Sequence, residues 1–288
     1  MAARYEEKAR QEEGVLSRAQ TRGPELHYYT VMPEGAPRAK VGLLHGYADY
    51  GKRYSHVAEA WAARGIATFA IDMRGHGLSG GKRGYCESFR EFLDDAAELT
   101  KLVQERAPGT PAFLFGHSFG GLVAASMAIE HPSPWRGLLL SGPYIGLALD
   151  VPRAKVIAGK LASRLVPTFA QPSGLRGADM THDAARARAY DADPLCFKGV
   201  TARWFTEATA AQGRLLARAP ALTMPLYVVM GSQDRVAKVA TARAFFDAAG
   251  SPDKTWDERA GLFHEVLNEP EWRSIADRLA DWMSDHAR

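Results

Sequence analysis

Short apolar runs alternate with amphipathic segments along most of the chain. Continuous apolar stretches at 40–47 and 66–72 are typical of strands buried on both faces of a parallel sheet. Segments 54–65 and 88–107 instead repeat apolar residues at helical spacing. This alternation, which also runs through later segments, predicts an α/β protein with a mostly parallel central sheet flanked by helices.

The two ends of the chain add a predicted hairpin and a closing helix. Apolar and polar residues alternate within 14–20 and 25–33, which indicates two edge strands. Ser88 and Glu91 have the spacing of a capping box and predict a helix start. Near the C-terminus, apolar residues at helical spacing from Trp272 to Met283 predict a helix that docks on the sheet.

The strand and helix alternation stops between residues 147 and 215. This segment contains helix-like patches and breakers but no convincing central strand. We therefore predict a core of residues 1–146 and 216–288, with residues 147–215 inserted as a helical cap after the sixth strand. The first part of the cap is amphipathic, with apolar residues from Val151 to Leu165 beside basic ones. Two interpretations stay open: a cap helix packed on its own domain, or a lipid-facing lid.

The net positive charge of the chain lies in the predicted cap. The whole chain of 288 residues carries a formal net charge of only +3, which argues against a dedicated nucleic-acid binder. Residues 147–215 contain ten Lys or Arg against six Asp or Glu, so this segment holds the surplus. Both a solvated surface and attraction to an anionic interface explain the excess.

The sequence shows no recognisable targeting signal and no cysteine pattern typical of secreted proteins, so we expect a protein that stays where it is made. The first residues are densely charged without an apolar core, and no run approaches the ~20 apolar residues of a membrane span. Cys86 and Cys196 lack metal-ligand spacing and are expected to be free thiols. We therefore expect a cytoplasmic location, with peripheral contact to a membrane through the cap. The oligomeric state is left open.

The strongest chemical signal is a G-x-S-x-G motif formed by Gly116, Ser118 and Gly120. An apolar strand precedes it and a helix-like segment follows, which is the context of a nucleophile elbow. The glycines let strand and helix approach closely, so that the serine protrudes from a strained turn. The helix N-terminus also favours negative charge near Ser118. The alternative interpretation is a glycine-rich loop that only packs tightly.

A serine nucleophile requires a base and an acid that orients it. Asp234 follows one predicted strand and His264 follows the last, so both belong to loops that meet at one edge of the sheet. The order Ser118, Asp234, His264 is the one that nucleophile-elbow hydrolases use. The backbone N–H groups of Tyr47 and Phe119 are the predicted oxyanion donors.

Several longer motifs together carry a family resemblance. HGYADYGKRY, IDMRGHGLSGGKRGY, GHSFGG, GSQDRV and GLFHEVLNEP resemble the monoacylglycerol lipase branch of the α/β-hydrolase family, over nearly the whole chain from residue 40 onward. This lysophospholipase-like resemblance implies the α/β-hydrolase fold and a serine lipase that acts on glycerol monoesters of fatty acids. It also implies a hydrophobic cap at a membrane surface. Neither the resemblance nor the proposed chemistry requires a metal or an organic cofactor.

By the same resemblance, Asp49 and Arg53 lie where that branch holds polar groups near the glycerol end of the pocket. The sequence departs from the branch at two points: the acid at position 49 is shortened, and Leu267 stands where some relatives have a second histidine. Two rival functions follow. One is a lysophospholipase or broad carboxylesterase with the same machinery, and the other is a non-catalytic receptor that keeps the fold.

Overall fold

The computed structural model describes residues 9–18, 23–148 and 153–288, without the side chains of residues 153–156. Within these residues, eight strands form one sheet in the order β1-β2-β4-β3-β5-β6-β9-β10. In this sheet order, every neighbouring pair from β4 onward is parallel. Strands β1 and β2 form an antiparallel hairpin at one edge, and β2 also pairs antiparallel with β4. The predicted α/β class with a mostly parallel sheet is confirmed, as is the edge hairpin. The charged leader up to residue 8 and Val151 lie outside the described residues.

The strands of the large sheet are bounded as follows: β1 Arg10–Leu16, β2 Leu26–Met32, β3 Ala39–Leu44, β4 Ile66–Ile71, β5 Ala112–His117, β6 Trp135–Ser141, β9 Leu226–Gly231 and β10 Lys254–Arg259. Two further short strands, β7 Ala170–Pro172 and β8 Gly199–Thr201, pair antiparallel with each other.

Helices cover both faces of the sheet and form the cap. In chain order they are α1 Ser55–Ala62, α2 Arg90–Arg106, α3 Phe119–Glu130, α4 Arg153–Leu165, α5 Gly177–Met180, α6 Ala184–Ala192, α7 Ala202–Arg218, α8 Val239–Ala248 and α9 Trp272–His286. The segment between β6 and β9 carries α4 to α7 and the β7–β8 pair. We infer that this segment contains the cap; the end predicted at residue 215 falls within α7, which runs to Arg218.

The continuous apolar strands divide their side chains between two cores. Phe113 and Phe115 of β5 face the layer that contains α1 and α9, whereas Leu114 between them faces the layer that contains α2, α3 and α8. Alternate residues of a strand point to opposite faces, so a strand covered on both faces must be apolar throughout. This is why the central strands show continuous rather than alternating hydrophobicity.

The predicted capping box at the start of α2 is wrong. The helix begins at Arg90, and Ser88 provides no side-chain cap. The carboxylate of Glu91 accepts the backbone N–H of Glu87 at 2.7 Å, one residue earlier than the box requires. The backbone N–H of Phe89 is instead bound by Glu207 of cap helix α7 at 3.0 Å. A residue distant in sequence thus replaces the local cap.

A buried ionic cluster joins α2 to two other parts of the chain. Asp95 of α2 has a fully buried side chain. It accepts hydrogen bonds from Arg18 at 2.6 Å and from the Nη2 atom of Arg74 at 2.6 Å, and also binds the backbone N–H of Arg74. Removal of Asp95 would leave these arginines without their shared buried anion.

We expect Asp95→Ala to lower the free energy of unfolding by about 3–5 kcal/mol, because it breaks a buried ion pair on one side only. Asp94→Ala is the matched control, since the neighbouring Asp94 side chain is 48% exposed and lies 3.5 Å from the exposed Arg90. That substitution should change stability by less than about 1 kcal/mol. Denaturant unfolding of both variants measures the difference, and equal stabilities would contradict the assigned role of the cluster.

Candidate active site

The G-x-S-x-G motif forms a sharp turn between β5 and α3. Ser118 has φ 52° and ψ −118°, a backbone conformation that non-glycine residues rarely adopt. Its backbone N–H donates to the carbonyl oxygen of Ser141 on the adjacent strand at 2.9 Å, which holds the turn against the sheet. The side chain consequently projects into the space beyond the C-terminal edge of the sheet, where the cap lies.

The glycines of the motif allow a backbone approach that no side chain could accommodate. A Cβ atom on Gly120 would lie 2.2 Å from the carbonyl oxygen of Leu44, and one on Gly116 would lie 2.4 Å from the carbonyl oxygen of Gly120. Helix α3 is therefore packed directly against the end of β3. This contact brings the loop after β3 beside the serine.

The structure places the three predicted side chains in one hydrogen-bonded chain. The Nε2 atom of His264 lies 2.8 Å from the hydroxyl oxygen of Ser118, and its Nδ1 atom lies 2.7 Å from a carboxylate oxygen of Asp234. The other carboxylate oxygen of Asp234 accepts the backbone N–H groups of Val236 and Ala237, each at 2.8 Å. With Nδ1 donating to Asp234, Nε2 is free to accept the serine proton.

Neighbouring groups shift the pKa of His264. Burial lowers its pKa, but the charge of Asp234 and the hydrogen bond to it outweigh burial, so the pKa is raised above the ordinary value of 6.5. The neighbouring His117, with its ring centroid 4.9 Å from that of His264, behaves in the opposite way. Burial and the repulsion of His264 lower the pKa of His117 to about 4, so this ring is neutral at neutral pH.

The loop after β3 carries the first predicted oxyanion donor. A Cβ atom on Gly46 would lie 3.3 Å from the Cβ atom of Ser118, so the loop passes directly beside the nucleophile. Ala48 has φ 55°, a second strained backbone position in this region. Tyr47 and Phe119 both line the cavity at Ser118. We propose that their backbone N–H groups are the oxyanion donors.

A cavity of about 410 Å³ opens above Ser118 and His264. Its wall from the cap side is mostly apolar and includes Leu147, Leu175, Met180, Val200, Trp204 and Phe205. A second cavity of about 400 Å³ beneath α4 also includes Val200 and Phe205, so the two adjoin through these side chains. The volumes and apolar lining suit an extended hydrocarbon chain.

The opposite end of the site is ionic. Asp49 and Glu265 line the cavity. Arg53 donates to Asp49 at 2.9 Å and binds both carboxylate oxygens of Glu265, at 2.9 and 2.8 Å. Tyr54 donates its hydroxyl to Asp49 at 2.9 Å. Asp49 and Arg53, which the resemblance singled out, thus belong to one cluster beside the loop that carries His264.

Sequence reasoning missed two acidic residues of this loop. Glu265 follows His264 directly, and Glu269 is completely buried. Glu269 accepts the backbone N–H groups of Phe263 and His182, both at 2.7 Å, and so ties the loop to the cap. Both lie within the quoted motif GLFHEVLNEP, which was the available signal. Leu267, in contrast, packs into the core.

Fold and relatives together define this protein as a serine hydrolase with the α/β-hydrolase fold. The family profile described as "Serine aminopeptidase, S33" matches residues 35–271, and the chain belongs to this family. The chain is 34% identical to a monoacylglycerol lipase of Mycolicibacterium smegmatis, over 92% of this chain and 94% of the relative. It is 30% identical to the phospholipase YtpA of Bacillus subtilis, over 83% and 92% respectively.

A solved structure gives the same result at the level of the fold. The crystal structure of the Paleococcus ferrophilus monoacylglycerol lipase superposes with a TM-score of 0.82 at 26% identity, over 91% of this chain and 99% of that one. The predicted fold, the family resemblance and the ester hydrolase class are thereby confirmed.

The raised pKa of His264 predicts a pH profile. Ester hydrolysis requires neutral His264, so kcat/KM should fall as the pH drops through a midpoint above 6.5. Measurement of kcat/KM for a water-soluble ester between about pH 5 and 9, the range in which histidine titrates, gives the midpoint. Asp234→Asn should remove the charge that raises the pKa and should reduce the rate by about 10⁴-fold. An acid limb below 6.5 in the unsubstituted protein would contradict the assignment.

Proposed function

We propose that this protein hydrolyses monoacylglycerols to glycerol and free fatty acids through an acyl-enzyme intermediate on Ser118. The observation that carries the proposal is the hydrogen-bonded chain from Asp234 through His264 to Ser118, at 2.7 and 2.8 Å, inside a cavity with an apolar side and an ionic end. The relatives named as monoacylglycerol lipases support the choice of substrate.

The geometry supports a two-step reaction. Ser118 attacks the ester carbonyl while His264 accepts its proton, and Asp234 holds the imidazole in position. The backbone N–H groups of Tyr47 and Phe119 stabilise the oxyanion. His264 then returns the proton to the leaving alcohol, and a water molecule activated by the same histidine releases the fatty acid. The residues of this chain supply every acid and base in these steps.

A lysophospholipase is the second candidate function. The relative named as a phospholipase favours it, and so does the basic excess of the cap. Both activities use the same attack on an ester carbonyl, so they differ only in the alcohol that leaves. The discriminating measurement is the turnover of a monoacylglycerol against a lysophospholipid with the same acyl chain.

The outer face of the cap supports contact with a lipid surface. Ile157, Leu161, Leu165, Val166 and Phe169 are each more than half exposed, and we call them the cap apolar surface. Exposed Lys160 and Arg164 lie on the same helix. An apolar patch flanked by basic residues fits the interface of an anionic membrane. Within the described residues, no helix has the length and hydropathy needed to cross a bilayer.

We expect Ser118→Ala to reduce monoacylglycerol hydrolysis by about 10⁴–10⁶-fold, because the nucleophile is lost. The same variant should no longer react with a fluorophosphonate probe. Ser126→Ala is a control, since Ser126 lies on the same helix and its hydroxyl donates to the backbone carbonyl of Leu122. Unchanged turnover in the Ser118 variant would refute the mechanism, and failure of the unsubstituted protein to react with the probe would favour a receptor.

We expect the triple substitution Ile157→Ser, Leu161→Ser and Leu165→Ser to weaken binding to anionic vesicles by at least about tenfold, because it removes exposed apolar area. Co-flotation with vesicles measures binding, and turnover of a water-soluble ester should be retained. Val15→Ser is a matched control, since Val15 is 55% exposed on edge strand β1. Equal vesicle binding by the triple variant and the control would exclude the cap apolar surface as the contact.

A further inference from the structure

The ionic end of the cavity contains more negative than positive charge. Asp49 and Glu265 share the single guanidinium of Arg53, through hydrogen bonds of 2.8–2.9 Å. All three side chains are nearly buried, with 2%, 5% and 11% of their surfaces exposed. Two carboxylates and one guanidinium give this cluster a formal charge of −1.

Both carboxylates are ionised at neutral pH. Burial alone would raise the pKa of Asp49, but Arg53 and nearby histidines outweigh it and lower the pKa to about 2. Burial likewise opposes ionisation of Glu265, and the charge and hydrogen bonds of Arg53 again prevail, so its pKa is lowered. The negative charge of the cluster therefore persists throughout the pH range in which His264 acts as a base.

The carboxylates of the cluster line the cavity, but its guanidinium does not. Asp49 and Glu265 line the cavity, whereas Arg53 is not among its lining residues in the described part of the chain. The ring of Tyr190 lies over the Arg53 guanidinium, with 5.0 Å between them. The Nη atoms of Arg53 are engaged by both acids. A ligand in the cavity would thus face carboxylate edges, with the compensating charge behind them.

The position of the cluster relates it to the leaving alcohol. His264 protonates this alcohol in the proposed mechanism, and Glu265 is the next residue along the chain. Asp49 lies on the other side, where its carboxylate is 3.4 Å from the backbone N–H of Gly46 in the loop beside Ser118. Both acids therefore lie close to the groups that handle the leaving alcohol in the proposed mechanism. Hydroxyl groups can donate to carboxylate oxygens, but a phosphate cannot.

Nearby basic residues do not reverse this charge. Arg186 donates to Asn268 at 2.8 Å and lies 3.7 Å from Asp183. Arg235 lines the cavity, but its side chain is 52% exposed and lies 3.6 Å from Asp179. Asp183 compensates Arg186, whereas Arg235 shares Asp179 with Arg176, which binds it at 2.9 Å. Within the described residues, neither Arg186 nor Arg235 forms a hydrogen bond or ion pair with Asp49 or Glu265.

We propose that Glu265 determines specificity: together with Asp49 it makes the alcohol end of the site anionic, so that the enzyme accepts neutral polyol esters and rejects esters whose alcohol carries a phosphate. This inference rests on the proposed ester hydrolysis and narrows its substrate class. It separates the two candidate functions, because a lysophospholipid would place its phosphate beside the carboxylates. Repulsion between a phosphate and adjacent carboxylates in a partly buried site strongly weakens binding of the phosphate ester.

The test compares 1-octanoylglycerol with 1-octanoylglycerol 3-phosphate, which differ only by the phosphate, below their aggregation concentrations. In the unsubstituted protein we expect kcat/KM to favour the neutral ester by about 100-fold or more. Glu265→Gln keeps the shape of the side chain and removes its charge, so the preference should narrow by about tenfold or more. Glu271→Gln is the matched control, because Glu271 is exposed and directly precedes α9. This variant should keep the full preference for the neutral ester.

p-Nitrophenyl butyrate reports on the triad independently, because its leaving group has neither hydroxyls nor phosphate. If Glu265→Gln retains this activity but also the full preference, the inference is wrong. It is equally wrong if the unsubstituted protein hydrolyses both octanoyl esters at similar rates.

If Glu265→Gln does not fold, the inference is tested in the unsubstituted protein with octanoyl esters whose alcohols differ in charge. Cationic octanoylcholine should then be hydrolysed faster than the phosphate ester, and the reverse order would overturn the inference. The proposed function fails separately, if p-nitrophenyl butyrate is hydrolysed and 1-octanoylglycerol is not. The comparison of octanoylcholine with the phosphate ester still tests the charge in that case.

Discussion

The backbone turn at Ser118 is the constraint on which the site depends. Its positive φ persists because helix α3 is pressed against the end of β3, where Gly120 leaves no room for a Cβ atom beside the carbonyl oxygen of Leu44. The same contact brings Gly46 beside Ser118 and sets the position of the loop that carries Tyr47. Strain at one residue is thus stabilised by packing between two otherwise regular elements.

Two acidic environments meet at His264 and act differently. Asp234 is held by backbone N–H groups and binds the imidazole of His264, whose pKa it raises. Glu265 is held by the guanidinium of Arg53 and by Asn268, which donates to it at 2.7 Å. Glu265 also contributes to the raised pKa of His264, but through space and not through a hydrogen bond, because its carboxylate oxygens are bound by Arg53.

Local sequence signals predicted the elbow and the strands, because both depend on residues close in the chain. The grouping of Ser118, Asp234 and His264 was instead inferred from the order of loops along the predicted sheet. The contacts that the sequence did not reveal join distant residues. Arg53 and Glu265 are separated by 212 positions, and Phe89 and Glu207 by 118. Glu207 binds the N–H group of Phe89 at the start of α2, where the sequence predicted only a local capping box of Ser88 and Glu91. Tertiary packing decided both, and no periodicity encodes it.

The cap contacts the core in two mechanically different ways. At one end, Glu269 and Glu265 bind residues 180–182 to the catalytic loop, so this part of the cap is fixed relative to His264. At the other end, α4 joins α7 through a hydrogen bond of 2.8 Å between Ser163 and Thr206. Helix α7 then places Trp204 against the rings of Tyr47 and Phe119, with centroids 3.8 and 4.9 Å apart. Helix α7 is itself joined to the core, because Glu207 accepts the backbone N–H of Phe89 and Gln212 donates to the backbone carbonyl of Tyr144 at 3.0 Å. The loop of His264 and the rings around Tyr47 are thus held by different parts of the cap.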